Sequence, residues 1–482
     1  MDSALGKKVL IVGASRSGLA AALLLRDLGR EVVLSDRKPR EELPGLADAE
    51  RAGAVFLPGP QDGAQLAGVD LVVKSPGVPV EAPLVAEAHR RGIPVWSELE
   101  LAYAVLPHPF TAITGTNGKT TTTALVGHMF AVAGRPARVL GNIGTAVTSV
   151  AGSLAPGEEL VVEASSFQLE DVHEFRPAAG VLLNLTPDHL DRHGTMEHYL
   201  ACKTRMFARQ GPDDWAVINA ADAAVAEVGR ELLRRPQGPR VAFFSTDPMI
   251  AHRLRQEGAD TPSVGARAHS ALSWLEDGRL HLWGEEALAV DEIQIRGTHN
   301  MENCLAGASA ALARGIPLDA VVEGLRTFPG VPHRLQMAGV VAGVTYVNDS
   351  KATNVEATLK ALEAYPRDTH LILGGRDKAS DYRPVARACA GACRGVYLIG
   401  EAAPLIREAF AEVRRQGDGG EAPKPVDSGD LEAALRAATQ AASPGDTVLL
   451  APACASFDQY SCFEERGEHF MSLVQRLREG RE

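Results

Sequence analysis

Phe110-Thr111-Ala112-Ile113-Thr114-Gly115-Thr116-Asn117-Gly118-Lys119-Thr120-Thr121 is the stretch on which the reading of the fold turns. An apolar, β-branched run enters a glycine-bounded turn, and Thr121–Ala133 then has the composition of a helix. Strand, glycine loop and helix in that order make the first half of a parallel βαβ unit. Glycines let backbone N–H groups approach phosphate oxygens, and a helix N-terminus adds partial positive charge. Lys119 is placed to neutralise β/γ oxygens, and the Thr120 hydroxyl to join a Mg²⁺ shell. The spacing is two residues shorter than the common G-x-x-x-x-G-K-[ST] form, so the general motif is not met. The competing reading is a glycine turn with a surface lysine, and the flanking strand and helix favour the phosphate loop.

Upstream, Val9–Val12 reads as a strand, Leu19–Leu28 as a helix, and Glu31–Ser35, Asp70–Lys74 and Ile93–Trp96 as further strands. Ser75-Pro76-Gly77 is a strong turn signal, and Leu106-Pro107-His108-Pro109 a linker. Downstream, strands are expected at Leu160–Glu163, Val181–Leu185, Trp215–Asn219 and Arg240–Phe244. A hairpin is expected over Ala271–Trp283, a helix at Asn300–Arg314, and a second linker at Phe328–Pro332. The last part alternates again, with strands at Val344–Asn348, His370–Leu373, Val396–Ile399 and Thr447–Leu450. The chain is therefore α/β, with three domains: a Rossmann-like parallel sheet over 1–106, a central P-loop-type ATPase domain over 107–330, and a second Rossmann-like domain over 331–482. Ligands of open parallel sheets sit beyond the carboxyl ends of the strands. Asp349-Ser350-Lys351, Gly374–Lys378, Gly400 and Ser456 are candidate site residues on that ground alone.

Bulk properties narrow the partners. With 482 residues, 45% hydrophobic and 23% charged, the chain can bury sizeable cores. A net charge of −12 argues against nucleic acid or an anionic membrane as the main partner. The six cysteines include no C-x-x-C pair, and Cys389 and Cys393 read as small packed residues on a helix; a reducing compartment is the simpler inference. The N-terminus enters a strand almost at once, without a signal segment, and no stretch approaches the length of a membrane span. A cytoplasmic protein is expected.

Several residues carry chemistry with an ordinary reading beside it. Val12-Gly13-Ala14-Ser15-Arg16-Ser17-Gly18 stands where a dinucleotide fingerprint would, and Asp36 closes the next strand where an acid meets a ribose. Ser15 replaces the glycine that admits a pyrophosphate, so NAD is disfavoured while another nucleotide is not; a purely structural turn is the alternative. Glu163, at the end of an apolar strand, suits a Mg²⁺ ligand or water-orienting carboxylate, and equally a neighbour of a helix N-cap. His189 and His193 lie four apart with His198 nearby, a pattern that suggests zinc. No third and fourth ligand stands nearby with the usual spacing, so His193 and His198 read as polar residues at a loop–helix boundary, and His189 has the better functional case. Lys203 by itself is an ordinary surface lysine on a helix.

Taken together these segments resemble the Mur ligases, ATP-dependent amide-bond-forming enzymes of peptidoglycan precursor synthesis. The resemblance rests on Thr114–Thr121, Gly141-Asn142-Ile143-Gly144, Glu163-Ala164-Ser165-Ser166, Asn184–His193 and Gly297-Thr298-His299-Asn300. Pro332-His333-Arg334, Asn348–Asn354, Pro452–Tyr460, Phe463 and Arg466-Gly467 resemble the D-glutamate-adding branch. Thr120 stands where that branch often has Ser, and Tyr460 where it commonly has Phe. The resemblance implies UDP-N-acetylmuramoyl-L-alanine and D-glutamate as substrates, ATP, Mg²⁺ at two sites, an acyl-phosphate intermediate and a monomeric enzyme. By similarity Gly115, Thr116, Asn117, Gly118, Lys119, Thr120 and Thr121 hold ATP, with Asn300, Asn303, Arg334 and Asp349 closing on it. Thr120 and Glu163 would serve one Mg²⁺, and His189 with a carbamylated Lys203 the second. Asn142 and Ser165 would face the muramoyl end; Ser15, Arg16, Ser17, Asp36, Arg37 and Ser75 would hold the UDP part. Lys351, Thr353, Lys378, Ser456 and Phe463 would place D-glutamate or the reacting carboxylate. The resemblance leaves other readings to be separated by experiment: another Mur ligase or a folylpolyglutamate synthetase, and a non-catalytic UDP-sugar sensor.

Overall fold

The computed structural model describes residues 5–142, 144–256, 270–378, 380–417 and 422–480. Ile143 of the Gly141–Gly144 motif lies outside them. Contacts divide the chain into two compact units, Met1–Gln294 with Thr298–Phe328, and Ile295–Gly297 with Pro329–Glu482.

The first unit holds two sheets. One is wholly parallel, in the order Val55–Pro58, Glu31–Asp36, Lys8–Val12, Leu71–Lys74, Val95–Ser97. The order reverses between Lys8–Val12 and Leu71–Lys74, so the loops after Val12 and Lys74 face the crevice where open sheets take ligands. Val9 and Ile11 bury themselves on one face, Leu10 and Val12 on the other, as the two-residue strand period requires.

The other sheet runs Glu285–Ala289, Arg279–Leu282, Ser270–Glu276, Arg240–Ser245, Trp215–Asn219, Ala179–Leu182, Phe110–Thr114, Glu159–Glu163, Ala137–Gly141. Arg279–Leu282 pairs antiparallel with both of its neighbours, and all other pairings are parallel. Helix Glu98–Val105 joins the two sheets, with Leu101 in the core of the first and Leu99 and Ala102 in that of the second. Its buried Glu98 accepts from the Thr148 N–H and hydroxyl, and Glu100 from the N–H groups of His173, Glu174 and Phe175. Lys74, fully buried, pairs with Glu170 at 2.9 Å and Asp171 at 2.7 Å.

The second unit holds a sheet in the order Gln336–Val341, Val344–Asn348, Thr447–Leu450, Thr369–Gly374, Cys393–Ile399, Val426–Gly429, parallel except for Gln336–Val341. Apolar clusters cover both of its faces.

Three expectations need correction. The strand expected at Val181–Leu185 is Ala179–Leu182, because Asn184 turns its carbonyl to the Thr116 N–H instead of to a neighbouring strand. Cys389 packs inside helix Arg383–Ala392, but Cys393 begins a strand. Val55–Pro58, Ala137–Gly141, Glu285–Ala289, Gln336–Val341 and Val426–Gly429 were not expected as strands, and each lies at a sheet edge. Among the described residues no helix is long and apolar enough to cross a membrane.

Candidate active site

The phosphate loop is built by two left-handed glycines and one asparagine. Gly115 has φ +155° and Gly118 φ +83°, and a Cβ on Gly118 would meet Asn303 Oδ1 at 2.2 Å. Only glycine admits that approach. Asn184 Oδ1 accepts from the N–H groups of Thr116 at 3.1 Å and Asn117 at 2.8 Å. The Thr116 hydroxyl donates to the Thr186 carbonyl at 3.1 Å. Helix Lys119–Val132 starts on Gly118, two residues earlier than expected, which puts Lys119, Thr120 and Thr121 in its first turn. Lys119 Nζ folds back on the Gly115 and Thr116 carbonyls at 3.0 and 2.7 Å. Asn303 accepts from the Thr122 hydroxyl at 3.2 Å and donates to Asn300 at 3.2 Å, so helix Thr298–Ala313 braces the loop from one side.

Glu163 ends its strand level with Ile113, the residue two before the loop, and is buried. Asn142 donates its amide to Glu163 Oε1 at 3.3 Å. Ser165 caps the short helix Ser166–Leu169 through a capping box with Gln168, so the N-cap is Ser165 and the Glu163 carboxylate is not the cap. His189 sits at φ 51°, half exposed, with its ring 5.1 Å from Phe167 and Nε2 3.4 Å from Asp188.

Lys203 is not a surface lysine. It is 1% exposed, and its Nζ donates to the Gly115 carbonyl at 2.8 Å, over the Tyr199 ring. Burial, and then the charge of Lys119, push its ammonium well below the ordinary lysine range. His193 is also buried, and Cys202, four residues after His198, and Glu170, distant in sequence, come up beside His193 and His198, so a third and a fourth potential ligand are present.

The sequence-predicted nucleotide residues of the first sheet meet at its crevice. Ser15, Arg16, Ser17, Asp36, Arg37 and Ser75 line one cavity of about 660 Å³, together with Asn142. Gly13 has φ +96°, and a Cβ on Gly18 would stand 1.9 Å from the Gly13 carbonyl, so the first and third fingerprint positions require glycine while Ser15 is exposed. The Asp36 carboxylate accepts from the N–H groups of Ala14 at 2.7 Å and Lys38 at 2.9 Å. The Ser75 hydroxyl donates to the Gly13 carbonyl at 2.8 Å, and Arg16 reaches the Gly144 carbonyl. Gln61 and Gln168 line the same cavity and were not anticipated.

In the second unit, loops at the carboxyl ends of adjacent strands carry Asp349, Lys351, Thr353, Lys378 and Ser456. Arg466, 1% exposed, ties two of them together: Nε donates to Ser350 Oγ at 3.0 Å, and Nη2 to the carbonyls of Ser350 at 2.9 Å and Cys454 at 3.2 Å. Burial lowers its guanidinium to about 10. Asp349 accepts from the Leu335 N–H at 3.2 Å, and burial raises its carboxyl to about 6 against the pull of Arg334 and Lys351. Lys351 Nζ lies 5.8 Å from the Phe463 ring centre. Arg334 and Lys378 are exposed, and Ser456 is buried. Asn300 and Asn303 belong to the first unit, Arg334 and Asp349 to the second. Asn184 and Arg466 carry no expected role in the sequence, and each is the polar residue that closes its loop.

Comparison with known proteins gives three family matches along the chain. Residues 7–97 match the Mur ligase MurD-like N-terminal domain, 113–311 the Mur ligase middle domain, and 333–454 the Mur ligase glutamate ligase domain. The chain is 44% identical over 479 residues, 98% of each protein, to a UDP-N-acetylmuramoylalanine–D-glutamate ligase of Pelotomaculum thermopropionicum. It is 41% identical to that of Acidobacterium capsulatum, over 97% of this chain and 96% of the other. Among solved structures, a UDP-N-acetylmuramate-alanine ligase, MurC, from Thermotoga maritima shares the fold at a TM-score of 0.53 and 20% identity, covering 97% of this chain and 99% of that one.

Proposed function

This chain belongs to the Mur ligase family, and we propose that it joins D-glutamate to UDP-N-acetylmuramoyl-L-alanine at the expense of ATP. It is an ATP-dependent ligase of peptidoglycan precursor synthesis. The observation that carries the site assignment is the meeting of three elements at one loop: the Gly115–Thr120 cradle, Asn303 beneath it, and the buried Lys203 amine on the Gly115 carbonyl.

A carboxylate is a poor electrophile, so the reaction needs a leaving group. The L-alanyl carboxylate attacks the γ-phosphorus of ATP, and ADP departs. The D-glutamate amine then adds to the acyl phosphate carbonyl, loses a proton, and expels phosphate. The chain's own part is positioning and charge neutralisation. Backbone N–H groups of Gly115–Thr121 and Lys119 hold the triphosphate, with Asn300 and Asn303 bracing the same loop. Thr120 and Glu163 suit one Mg²⁺, and His189 and Lys203 a second; bound there, Mg²⁺ would neutralise charge building on the transferred phosphoryl group. The environment of Lys203 fits that role: burial and the Lys119 charge favour loss of the ammonium proton, and the amine so freed would attack CO₂ and release one proton, leaving an anionic carbamate where an ammonium would repel the metal. Ser15, Arg16, Ser17, Asp36, Arg37 and Ser75 take the UDP end in the first-sheet cavity, and Asn142 and Ser165 the muramoyl end. Lys351, Thr353, Lys378, Ser456 and Phe463 place D-glutamate. The enzyme acts as a monomer in the cytoplasm.

Phosphate release from ATP, measured with UDP-N-acetylmuramoyl-L-alanine and D-glutamate, L-glutamate or L-lysine in turn, tests the assignment. Release that requires D-glutamate supports it. Release with another amino acid, or none with D-glutamate, overturns it.

A further inference from the structure

We propose that Glu170, His193, His198 and Cys202 form a site for one thiolate-preferring divalent cation of the zinc class, distinct from the Mg²⁺ sites of the ligase reaction. The four donor atoms all lie within 4.8 Å of one another. Cys202 Sγ stands 3.6 Å from His198 Nε2 and 4.0 Å from His193 Nδ1, and Glu170 Oε1 3.9 Å from His198 Nε2. A tetrahedral zinc site with bonds of about 2.0–2.3 Å sets its ligand atoms about 3.3–3.7 Å apart, so the widest pair must close by roughly 1 Å.

The surroundings already orient these ligands. His193 Nε2 meets the Ser166 hydroxyl at 2.9 Å, which leaves Nδ1 facing the cysteine, and the ring lies parallel to Phe167 at 5.1 Å. Holding the far ring nitrogen in this way is how proteins fix a metal-binding imidazole. Glu170 divides its carboxylate: Oε2 is held by Lys74 at 2.9 Å and Arg192 at 3.4 Å, while Oε1 turns toward the cluster. Glu170, His193 and Cys202 are buried, whereas the His198 side chain is 49% exposed and gives the ion a way in.

The donor set selects the metal. Thiolate and imidazole suit zinc and its relatives, while Mg²⁺ requires oxygen. Binding replaces the Cys202 thiol proton by a sulfur–metal bond and releases one proton; the thiolate and the Glu170 carboxylate, the latter shared with Lys74 and Arg192, are the two anionic ligands. The ligands come from the end of helix Ser166–Leu169, helix Leu190–His193 and helix Met196–Thr204, so the ion would clamp the segment that presents Lys203 to the phosphate loop. The proposal does not depend on which amino acid the ligase adds.

The test uses the full-length protein in excess Mg²⁺, titrated with Zn²⁺ and, for spectroscopy, Co²⁺. One equivalent should bind, with the near-ultraviolet thiolate-to-cobalt band and the visible bands of four-coordinate Co²⁺. Cys202→Ala should abolish the thiolate band. His198→Ala, at a half-exposed position that leaves the fold intact, should weaken Zn²⁺ binding at least about tenfold. His189→Ala should leave the band in place. Binding without a thiolate band, a band that survives Cys202→Ala, a band lost in His189→Ala, or Zn²⁺ affinity unchanged in His198→Ala overturns the proposal.

Discussion

Gly118→Ala should damage the phosphate loop through Asn303, and a double-mutant cycle can isolate that route. At φ +83° an alanine costs about 1–2 kcal/mol in backbone strain alone. Its Cβ would also stand 2.2 Å from Asn303 Oδ1, well inside contact distance, so the amide must swing away by about 1 Å. That movement breaks the bonds at 3.2 Å to the Thr122 hydroxyl and to Asn300, each worth about 1 kcal/mol. The single substitution should therefore cost about 3–4 kcal/mol. Asn303→Ala should cost about 2 kcal/mol from the same two bonds. In the double variant the bonds are lost only once, so the total stays at about 3–4 and the coupling is about −2 kcal/mol. Urea unfolding of the four proteins gives the cycle, and KM for ATP should rise in both single variants. Additive stabilities would refute the reasoning, because the clash with Asn303 would then carry none of the cost.

Three further perturbations have distinct readouts. Lys203→Ala should reduce phosphate release at least about 100-fold while leaving the fold at least as stable, since it removes a buried amine; partial rescue by short carboxylic acids should follow, and activity within about threefold of the parent refutes it. Arg466→Lys keeps a charge but loses the planar fork to Ser350 and Cys454, so it should cost about 2–4 kcal/mol, lower the melting temperature by roughly 5–10 °C, and raise KM for D-glutamate; an unchanged melt would count against the strap. Asp349 has a folded pKa raised from 3.8 to about 6, so the folded state holds its proton to higher pH than the unfolded one. Its penalty is absent below about pH 4, grows as pH rises through 6, and reaches about 3 kcal/mol above that. Asp349→Asn should thus match the parent at pH 4 in urea unfolding and exceed it at pH 7; an equal gain at both pH values contradicts the burial argument.

Periodicity and turn chemistry located the inner strands because these are buried on both faces and read as unbroken apolar runs. Phe110–Thr114 and Trp215–Asn219 are buried along their whole length. The strands that escaped are edge strands, where one side lacks a neighbour and half the residues stay polar: Val-Asp-Ser-Gly at Val426–Gly429 and Glu-Glu-Ala-Leu-Ala at Glu285–Ala289 carry no strand pattern. The phosphate loop was legible because its parts are consecutive. Lys203 was not, because its burial depends on Gly115 arriving from elsewhere in the chain, and a lysine on a helix looks the same in sequence whichever way it points. The metal-type cluster shows the same limit: His193, His198 and Cys202 are visible as a spacing, but Glu170 joins them only through the fold.

The backbone itself marks which segments are held for chemistry and which merely turn. Asp277 and Ala342 take left-handed φ in the tight hairpins Ser270–Glu276/Arg279–Leu282 and Gln336–Val341/Val344–Asn348, where such a conformation matches the strand twist. His189, His333, Leu335, Asp368 and Ala453 take it without a hairpin to explain it. Each such residue costs about 1–3 kcal/mol unless its surroundings enforce it. The enforcing contacts are specific: the His333 carbonyl receives the Lys351 N–H at 3.0 Å, the Leu335 N–H reaches Asp349 at 3.2 Å, and the Ala453 N–H reaches the Ala352 carbonyl at 2.9 Å. Each of these bonds ends on the Asp349–Ala352 turn. Asp368 apart, whose carbonyl receives the Thr447 N–H at 3.0 Å, the strained backbone of the second unit outside its hairpin is tied to the loop carrying Asp349 and Lys351, and glycines, which would relieve it, would also release the loop. At the Asp349–Ala352 turn, a carboxylate that burial disfavours and backbone that sterics disfavour occur together, and it is their coincidence there, rather than either alone, that separates a site from a fold.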